Sequence, residues 1–356
     1  MREKRILTVG PSFDSLGGIS TVSKMLNDYM NKEGHPVDHL GSMFEGSFFK
    51  KQLFTLFSYV KFLKILASRR YCLIHIHSST DYSFYRKIYF IVLSKLAKKR
   101  IILQVHPGRF YDFFKSKKRF LQYFIKKILG MPDVIIVLSE GIKEKLITIL
   151  PEGKISVLPN PVNCAHFRCQ KQKKEKVILY LGWFVKEKGV YDIVKAIPDV
   201  IAKDPTVKFV FCGAKEKQNL RSLFENVPFK NQVSVNEWVM GEEKTDILAQ
   251  STMLLLPSYT EGFPNVILEA MASCLPIVTT PVGAIPEVLQ EGRNCLYVQP
   301  GDAEALAEKI LHLLKHPELG MRMGDENLHL VRETYDIKIV GSKLEGIYSR
   351  YMNKSA

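Results

Sequence analysis

Short, nearly continuous apolar runs alternate with stretches of helical length along the N-terminal half of the chain. Arg5–Gly10 (RILTVG), Cys72–His77 (CLIHIH), Ile101–His106 (IILQVH), Val134–Leu138 (VIIVL) and Ile155–Leu158 (ISVL) read as strands. Their apolar positions are consecutive rather than alternating, which predicts burial on both faces. Between them, Ile19–Met30 carries Val22, Met25, Leu26 and Tyr29 at helical spacing. Further amphipathic stretches lie around 51–69, 83–98, 113–129 and 140–149. Buried strands separated by helices predict a parallel sheet covered on both sides.

A polar segment, Cys164 to Lys176 (CAHFRCQKQKKEK), interrupts this rhythm and reads as an interdomain connection. The alternation then restarts with Val177–Leu181, Val207–Cys212, Val233–Val235, Met253–Leu256, Ile277–Thr279 and Cys295–Val298 as strands, and a helical tail from about Ala303. The pattern predicts an α/β protein of two Rossmann-like, doubly wound parallel sheets in tandem. The expected divisions are 1–163, a linker 164–176, a second domain 177–335, and a last helix 336–356. In such sheets ligands bind beyond the carboxyl ends of the strands, so the loops there hold the candidate chemistry.

The 356 residues, 46% of them hydrophobic, suffice for two cores. Charge changes the picture more than size does. Of 51 Lys+Arg and 36 Asp+Glu, residues 1–163 hold 27 and 12, and residues 164–356 hold 24 of each. The whole net charge of +15 therefore sits in the N-terminal half, which predicts an anionic partner there. The apolar stretch Ile6–Gly10 is too short for a signal-peptide core, and Lys61 and Lys64 interrupt the most apolar segment, Leu53–Ala67. The six Cys (72, 164, 169, 212, 274, 295) form no CxxC pair and no zinc-finger spacing, so they read as reduced thiols of a cytoplasmic protein.

The most informative loop is Pro257–Glu269, PSYTEGFPNVILE. Gly262, Phe263, Pro264 and Asn265 form a turn directly after the strand MLLL and lead into a helix through Val266. Helix-start N–H groups carry positive partial charge and suit a diphosphate. Glu269, about one turn into the helix, can accept hydrogen bonds from a ribose diol, and Glu261 from sugar hydroxyls.

This string resembles the E-x7-E motif of glycosyltransferase family 4, the retaining GT-B enzymes. Other segments follow the family's order. Gly17–Gly18–Ile19 resembles its first glycine loop, and His106 stands where the family places a cleft histidine. Leu158–Pro159–Asn160 resembles the segment before the domain link. Gly182 to Gly189 (GWFVKEKG) resembles its G-R-x-x-x-x-K-G segment, and Gly283–Glu287 its G-G-x-x-E segment. The resemblance implies a GT-B fold with a central cleft. Glu269 would bind the donor ribose, and Glu261 with the Gly262–Asn265 backbone would hold the sugar and phosphates. Lys188 would neutralise the leaving diphosphate, Trp238–Val239 would meet the base, and His106 would position substrate. Trp183 stands where the family usually has Arg, so that phosphate contact would be lost or supplied by Lys186 or Arg109. The resemblance implies no metal and no cofactor, and no metal-spaced ligand set appears. It also implies that the last helix packs back on the N-terminal domain.

Phe113–Leu129 (FFKSKKRFLQYFIKKIL), with Lys117, Lys118 and Arg119, reads as one basic amphipathic helix, either plain surface or a contact for anionic lipid. Lys50, Lys51, Lys61, Lys64, Arg69 and Arg70 add to it. No nucleic-acid motif appears. The combined reading is a cytoplasmic enzyme, peripheral on the inner membrane face. It moves a hexose or N-acetylhexosamine from a UDP- or GDP-sugar to a glycan, lipid-linked in bacterial surface polysaccharide synthesis. The rivals are a GT-B nucleotide-sugar epimerase and a silent nucleotide-sugar-binding scaffold.

Overall fold

The computed structural model describes residues 5–352 except 45, 69, 172–174, 215–216 and 226. Arg69 of the basic set and part of the connecting segment thus lie outside the described residues.

The first sheet contains β1 (Arg5–Gly10), β2 (Val37–Gly41), β3 (Tyr71–Ser78), β4 (Arg100–Val105), β5 (Val134–Val137) and β6 (Ile155–Val157). Its order is β2-β1-β3-β4-β5-β6, all parallel. The crossovers are α1 (Gly18–Lys32), α2 (Phe48–Ala67), α3 (Tyr82–Leu96), α4 (Phe110–Lys115), α5 (Arg119–Leu129) and α6 (Glu140–Ile147). The central strands are buried almost throughout, as their unbroken apolar runs require.

Two details differ from the pattern in the sequence. The strand β2 (VDHLG) has a polar interior and sits at the sheet edge, where burial demands fewer apolar residues. The expected single helix 113–129 is broken at 116–118. There the Ser116 hydroxyl turns back to the Phe113 carbonyl and Lys118 is extended. The Gln122 side chain donates to the carbonyls of Lys115 and Lys117 and fastens the break.

The second sheet contains β7 (Lys176–Trp183), β8 (Val207–Ala214), β9 (Val233–Asn236), β10 (Met253–Leu256), β11 (Ile277–Thr279) and β12 (Leu296–Tyr297). Its order is β12-β11-β10-β7-β8-β9. Its helices are α7 (Val190–Lys203), α8 (Lys217–Ser222), α9 (Gly241–Gln250), α10 (Asn265–Ala272), α11 (Ile285–Val288), α12 (Ala303–Lys315) and α13 (Pro317–Thr334). A core of Ile178, Phe209, Phe211, Ile193, Ile197 and Leu306 joins the strands to α7 and α12.

The chain divides into two compact units, Met1–Pro161 with Ile337–Ala356, and Val162–Asp336. The final helix α14 (Ile337–Met352) belongs to the first unit. Its Val340, Leu344 and Tyr348 pack with Val22, Leu26 and Met30 of α1. The polar segment after residue 163 is not a free connection. Val162 bridges Asp336, Arg168 pairs with Asp246, and Lys171 with Asp325, so the segment is strapped to the second unit.

The expectation of six reduced thiols is corrected at one pair. Cys169 on that strap forms a disulfide with Cys274, 105 residues away, at the turn after α10. The pairing depends on the strap folding onto the second sheet, which no local spacing encodes. Cys72, Cys164, Cys212 and Cys295 are free thiols.

Candidate active site

In the second sheet the chain runs from β7 outward to β9, then crosses back to β10 on the other side of β7. The loops after β7 and β10 therefore diverge and leave a crevice at their carboxyl ends. Apart from Gly17 and Gly18, every donor-binding residue predicted from the sequence lies in this unit, on those loops, on the neighbouring ones or in α10.

The loop after β7 makes a single turn, Lys186–Lys188, closed by Gly189 in the left-handed region (φ 69°). A Cβ on Gly189 would stand 1.9 Å from the Pro257 carbonyl oxygen. Glycine is thus needed both for conformation and for close approach to the loop after β10. The Tyr259 amide, donating to the Glu187 carbonyl at 2.9 Å, ties the same two loops. On the other flank a Cβ on Gly283 (φ 61°) would lie 2.1 Å from the Glu261 carbonyl oxygen, and the Ala284 amide donates to the Gly262 carbonyl.

Within this brace Lys188 Nζ donates to Glu261 Oε1 at 2.7 Å, and Ser258 Oγ donates to the same oxygen at 2.8 Å. The Glu261 side chain is 5% exposed and that of Lys188 26%. A carboxylate so buried is expensive unless paired and hydrogen-bonded, and here it is both. Thr280 Oγ1 donates to the Ser258 carbonyl and holds the loop from below. One turn into α10, Glu269 Oε1 accepts from Lys244 Nζ of α9 at 2.5 Å. Each acid of the E-x7-E string is therefore matched with a lysine from another element. Lys244 and Ser258 were missed in the sequence. No spacing signals Lys244, whereas Ser258, three residues before Glu261, stands within the motif itself.

Gly262, Pro264, Asn265 and Val266 are half-buried at the start of α10, but Phe263 turns inward, its ring 5.7 Å from Tyr335. Phe263 thus fixes the loop to the body of the unit. Trp183 and Trp238 lie with ring centroids 4.8 Å apart, and Val239 is buried beside them. The buried Tyr180 hydroxyl donates to the Trp183 carbonyl at 2.7 Å. Lys186 is exposed.

The remaining predicted residues lie in the first unit. Gly17 precedes α1 and Gly18 is its first residue, at the loop after β1. Here too the strand order reverses, between β1 and β3. His106 follows β4 and is buried, its Nε2 3.0 Å from His77 Nδ1. His75 and His77 of β3 are both buried. They stack at 4.4 Å, since residues two apart on a strand share a face, and His75 Nδ1 meets the Tyr348 hydroxyl at 2.7 Å. Burial pushes His75 and His106 down to about 3 and His39 to about 4, so all three are neutral near pH 7. Beneath them Lys87 is fully buried and bonded to Ser42 Oγ. Burial, helped by Arg86, lowers its ammonium to about 7. Arg109, Lys118 and Arg119 are exposed, while Lys117 lies over the Phe113 ring and pairs with Asp81.

One prediction concerns the brace. Gly189→Ala would force a left-handed alanine against a carbonyl, a strain of at least about 2 kcal/mol. Calorimetric melting of the second unit is expected to fall by several degrees. An unchanged melting temperature would mean that the two loops can separate freely.

With this geometry in place, the resemblance can be compared with known proteins. Residues 16–166 match the family profile described as Glycosyltransferase Family 4, and residues 165–329 match Glycosyl transferases group 1. The capsular polysaccharide biosynthesis glycosyltransferase CapM of Staphylococcus aureus is 26% identical over 302 residues, 76% of this chain and 80% of CapM. Sucrose-phosphate synthase of Thermosynechococcus elongatus superposes with a TM-score of 0.80 at 18% identity, covering 99% of this chain and 100% of that one. HepE of Anabaena, solved with UDP and glucose, superposes at 0.77 with 15% identity, covering 98% and 100%. Matched in both halves and built on the two six-stranded parallel sheets of the GT-B fold, the chain belongs to glycosyltransferase family 4.

Proposed function

We propose that this glycosyltransferase is retaining and takes a hexose or N-acetylhexosamine from a UDP- or GDP-sugar bound in the crevice between β7 and β10. The observation that carries this reading is the pair of lysine–glutamate contacts, Lys188–Glu261 and Lys244–Glu269, flanking the first turn of α10. Without donor, each lysine neutralises an acid. A diphosphate against the α10 amides would draw Lys188 onto its oxygens and release Glu261 to accept from sugar hydroxyls. Lys244 would likewise leave Glu269 for the ribose diol. Trp183 and Trp238 offer apolar faces for the base. Two anchored ends would hold the glycosidic carbon between them.

The bond from that carbon to the phosphate oxygen breaks while the acceptor hydroxyl attacks from the same face. The leaving oxygen takes the acceptor's proton. Negative charge grows on the diphosphate, where Lys188, Lys186 and the helix start stabilise it without a metal ion. In the first unit, His106 would position the acceptor through its ring, whose Nε2 is engaged by His77. HepE, solved with UDP and glucose, and CapM, named for capsular polysaccharide, support a UDP-sugar and a polysaccharide acceptor. A lipid-linked acceptor and contact of the Lys117–Lys118–Arg119 segment with an anionic inner membrane face suit the basic first unit.

The test is a thermal-shift screen of nucleoside diphosphates and their sugars, in which a ligand of the folded state raises the melting temperature by mass action. Glu269→Ala should then weaken binding of the active ligand about tenfold or more by calorimetry, the scale of hydrogen bonds to a charged group. Unchanged affinity would remove the ribose role. Binding without turnover on any acceptor would favour the silent scaffold, in which Trp183 fills the arginine's place.

A further inference from the structure

The helix α2 is turned the wrong way for an ordinary surface helix. Its inward face carries Thr55, Ser58 and Phe62, all buried. The two hydroxyls are spent on local carbonyls, Thr55 on Lys51 and Ser58 on Thr55, and Phe62 meets the Phe90 ring of α3 at 4.9 Å. The outward face is apolar. Phe49 is 84% exposed, Phe57 64%, Leu56 58%, Leu53 55%, and Val60 and Leu63 48% each. Their spacing places them on one continuous stripe, about 20 Å long at the helical rise. Lys50, Lys61 and Lys64 are exposed on the same helix, which contains no acidic residue.

We infer that this stripe inserts into the interfacial layer of an anionic lipid bilayer, with the three lysines at headgroup level. The inference deepens the membrane contact proposed above and rests on that reading. It names a different element, α2, as the part that enters the bilayer. Three observations select a bilayer over other occupants. Every charged residue of the helix is a lysine, which complements anionic headgroups. A second copy docked face to face would set those lysines against their own counterparts, with no carboxylate on the helix to compensate. And α3 packs against both α2 and α5, whose exposed Phe120, Tyr123 and Phe124 stand among Arg119, Lys126 and Lys127. The apolar, basic character is thus shared by α2 and α5, the two helices that pack on α3. Large apolar side chains beside long basic ones are the composition of helices that lie in the plane of a membrane.

The experiment uses the full chain with sedimented vesicles of phosphatidylcholine alone or mixed with phosphatidylglycerol. Wild type should bind the mixed vesicles, and the triple variant F49S/L53S/F57S should bind about a hundredfold less tightly. K50E/K61E/K64E should lose the preference for phosphatidylglycerol. All three positions in each set are exposed, so circular dichroism and nucleotide-induced thermal shifts should match wild type. Phe57→Trp adds a reporter to a unit whose own sequence has no tryptophan, and its emission should shift blue on mixed vesicles. A triple serine variant that binds like wild type overturns the inference. So does a wild-type dimer in light scattering that the serine substitutions dissolve while no vesicles are bound. K117E/K118E/R119E separates the two readings. If that variant alone loses binding, the membrane contact stands and the α2 assignment fails. If wild type ignores both vesicles, both fail.

Discussion

Lys188→Ala is expected to lower kcat at least about a hundredfold, the scale of losing one preorganised electrostatic stabiliser from an acyl- or phosphate-type leaving site. Two effects add in the same direction. The developing diphosphate charge loses the Lys188 ammonium, which stands 2.7 Å from Glu261. Glu261 keeps the Ser258 hydroxyl as a donor and becomes an uncompensated negative charge beside an anionic ligand. Donor affinity should therefore fall as well, but less than turnover, because the α10 amides still meet the phosphates in the ground state. Lys188→Arg should recover part of the rate, since it restores charge but not shape. Turnover near wild type in the alanine variant would transfer the phosphate role to the exposed Lys186.

Acid should unfold the first unit well before the second. His75 and His106 are held down to about 3, His39 to about 4, and His77 well below its ordinary value, chiefly by burial, to which neighbouring rings add at His75 and His77 and Lys87 at His39 and His77. The unfolded chain takes up these protons near pH 6.5, and the folded chain refuses them until about pH 4 or lower. Stability therefore rises with pH across that window, is complete above about 6.5, and is lost as pH falls through it. A fully shifted group contributes about 1.4 kcal/mol per pH unit. Lys87 acts in the same sense at higher pH. Its folded value of about 7 lies below the ordinary 10.5, so stability climbs from about 7 to 10.5. The bond between His77 and His106 also requires one donor and one acceptor, and two imidazolium rings would break it. Scanning calorimetry should show a transition moving down by at least about 10 °C between pH 7.5 and 5, at roughly 2 to 4 °C per kcal/mol for a unit of this size. A melting profile independent of pH over that range would mean that water reaches the histidine cluster.

Legibility followed the locality of each signal. Eleven of the twelve strands among the described residues are marked by apolar runs, because a strand buried on both faces must be apolar at every position. The strand β2 escaped because an edge strand is under no such demand. The break between α4 and α5 was hidden because Ser, Lys and Lys do not forbid a helix, and only the Ser116 and Gln122 bonds decide it. The crevice after β10 was legible because its acids, glycine and proline lie within thirteen consecutive residues. The outward stripe on α2 was not, since its spacing is the same whether the apolar face turns in or out.

The sequence alone determined the two parallel sheets, the Pro257–Glu269 loop and the concentration of positive charge in the first half. Each is written in periodicity or in residues close along the chain. Tertiary structure decided the rest. It matched Glu261 with Lys188 and Glu269 with Lys244, joined Cys169 to Cys274, gathered four histidines over a buried lysine, and left one face of α2 bare. These features depend on which elements meet after the crossovers are made. Contacts between residues far apart in the chain are set by packing the whole, and no local spacing records them.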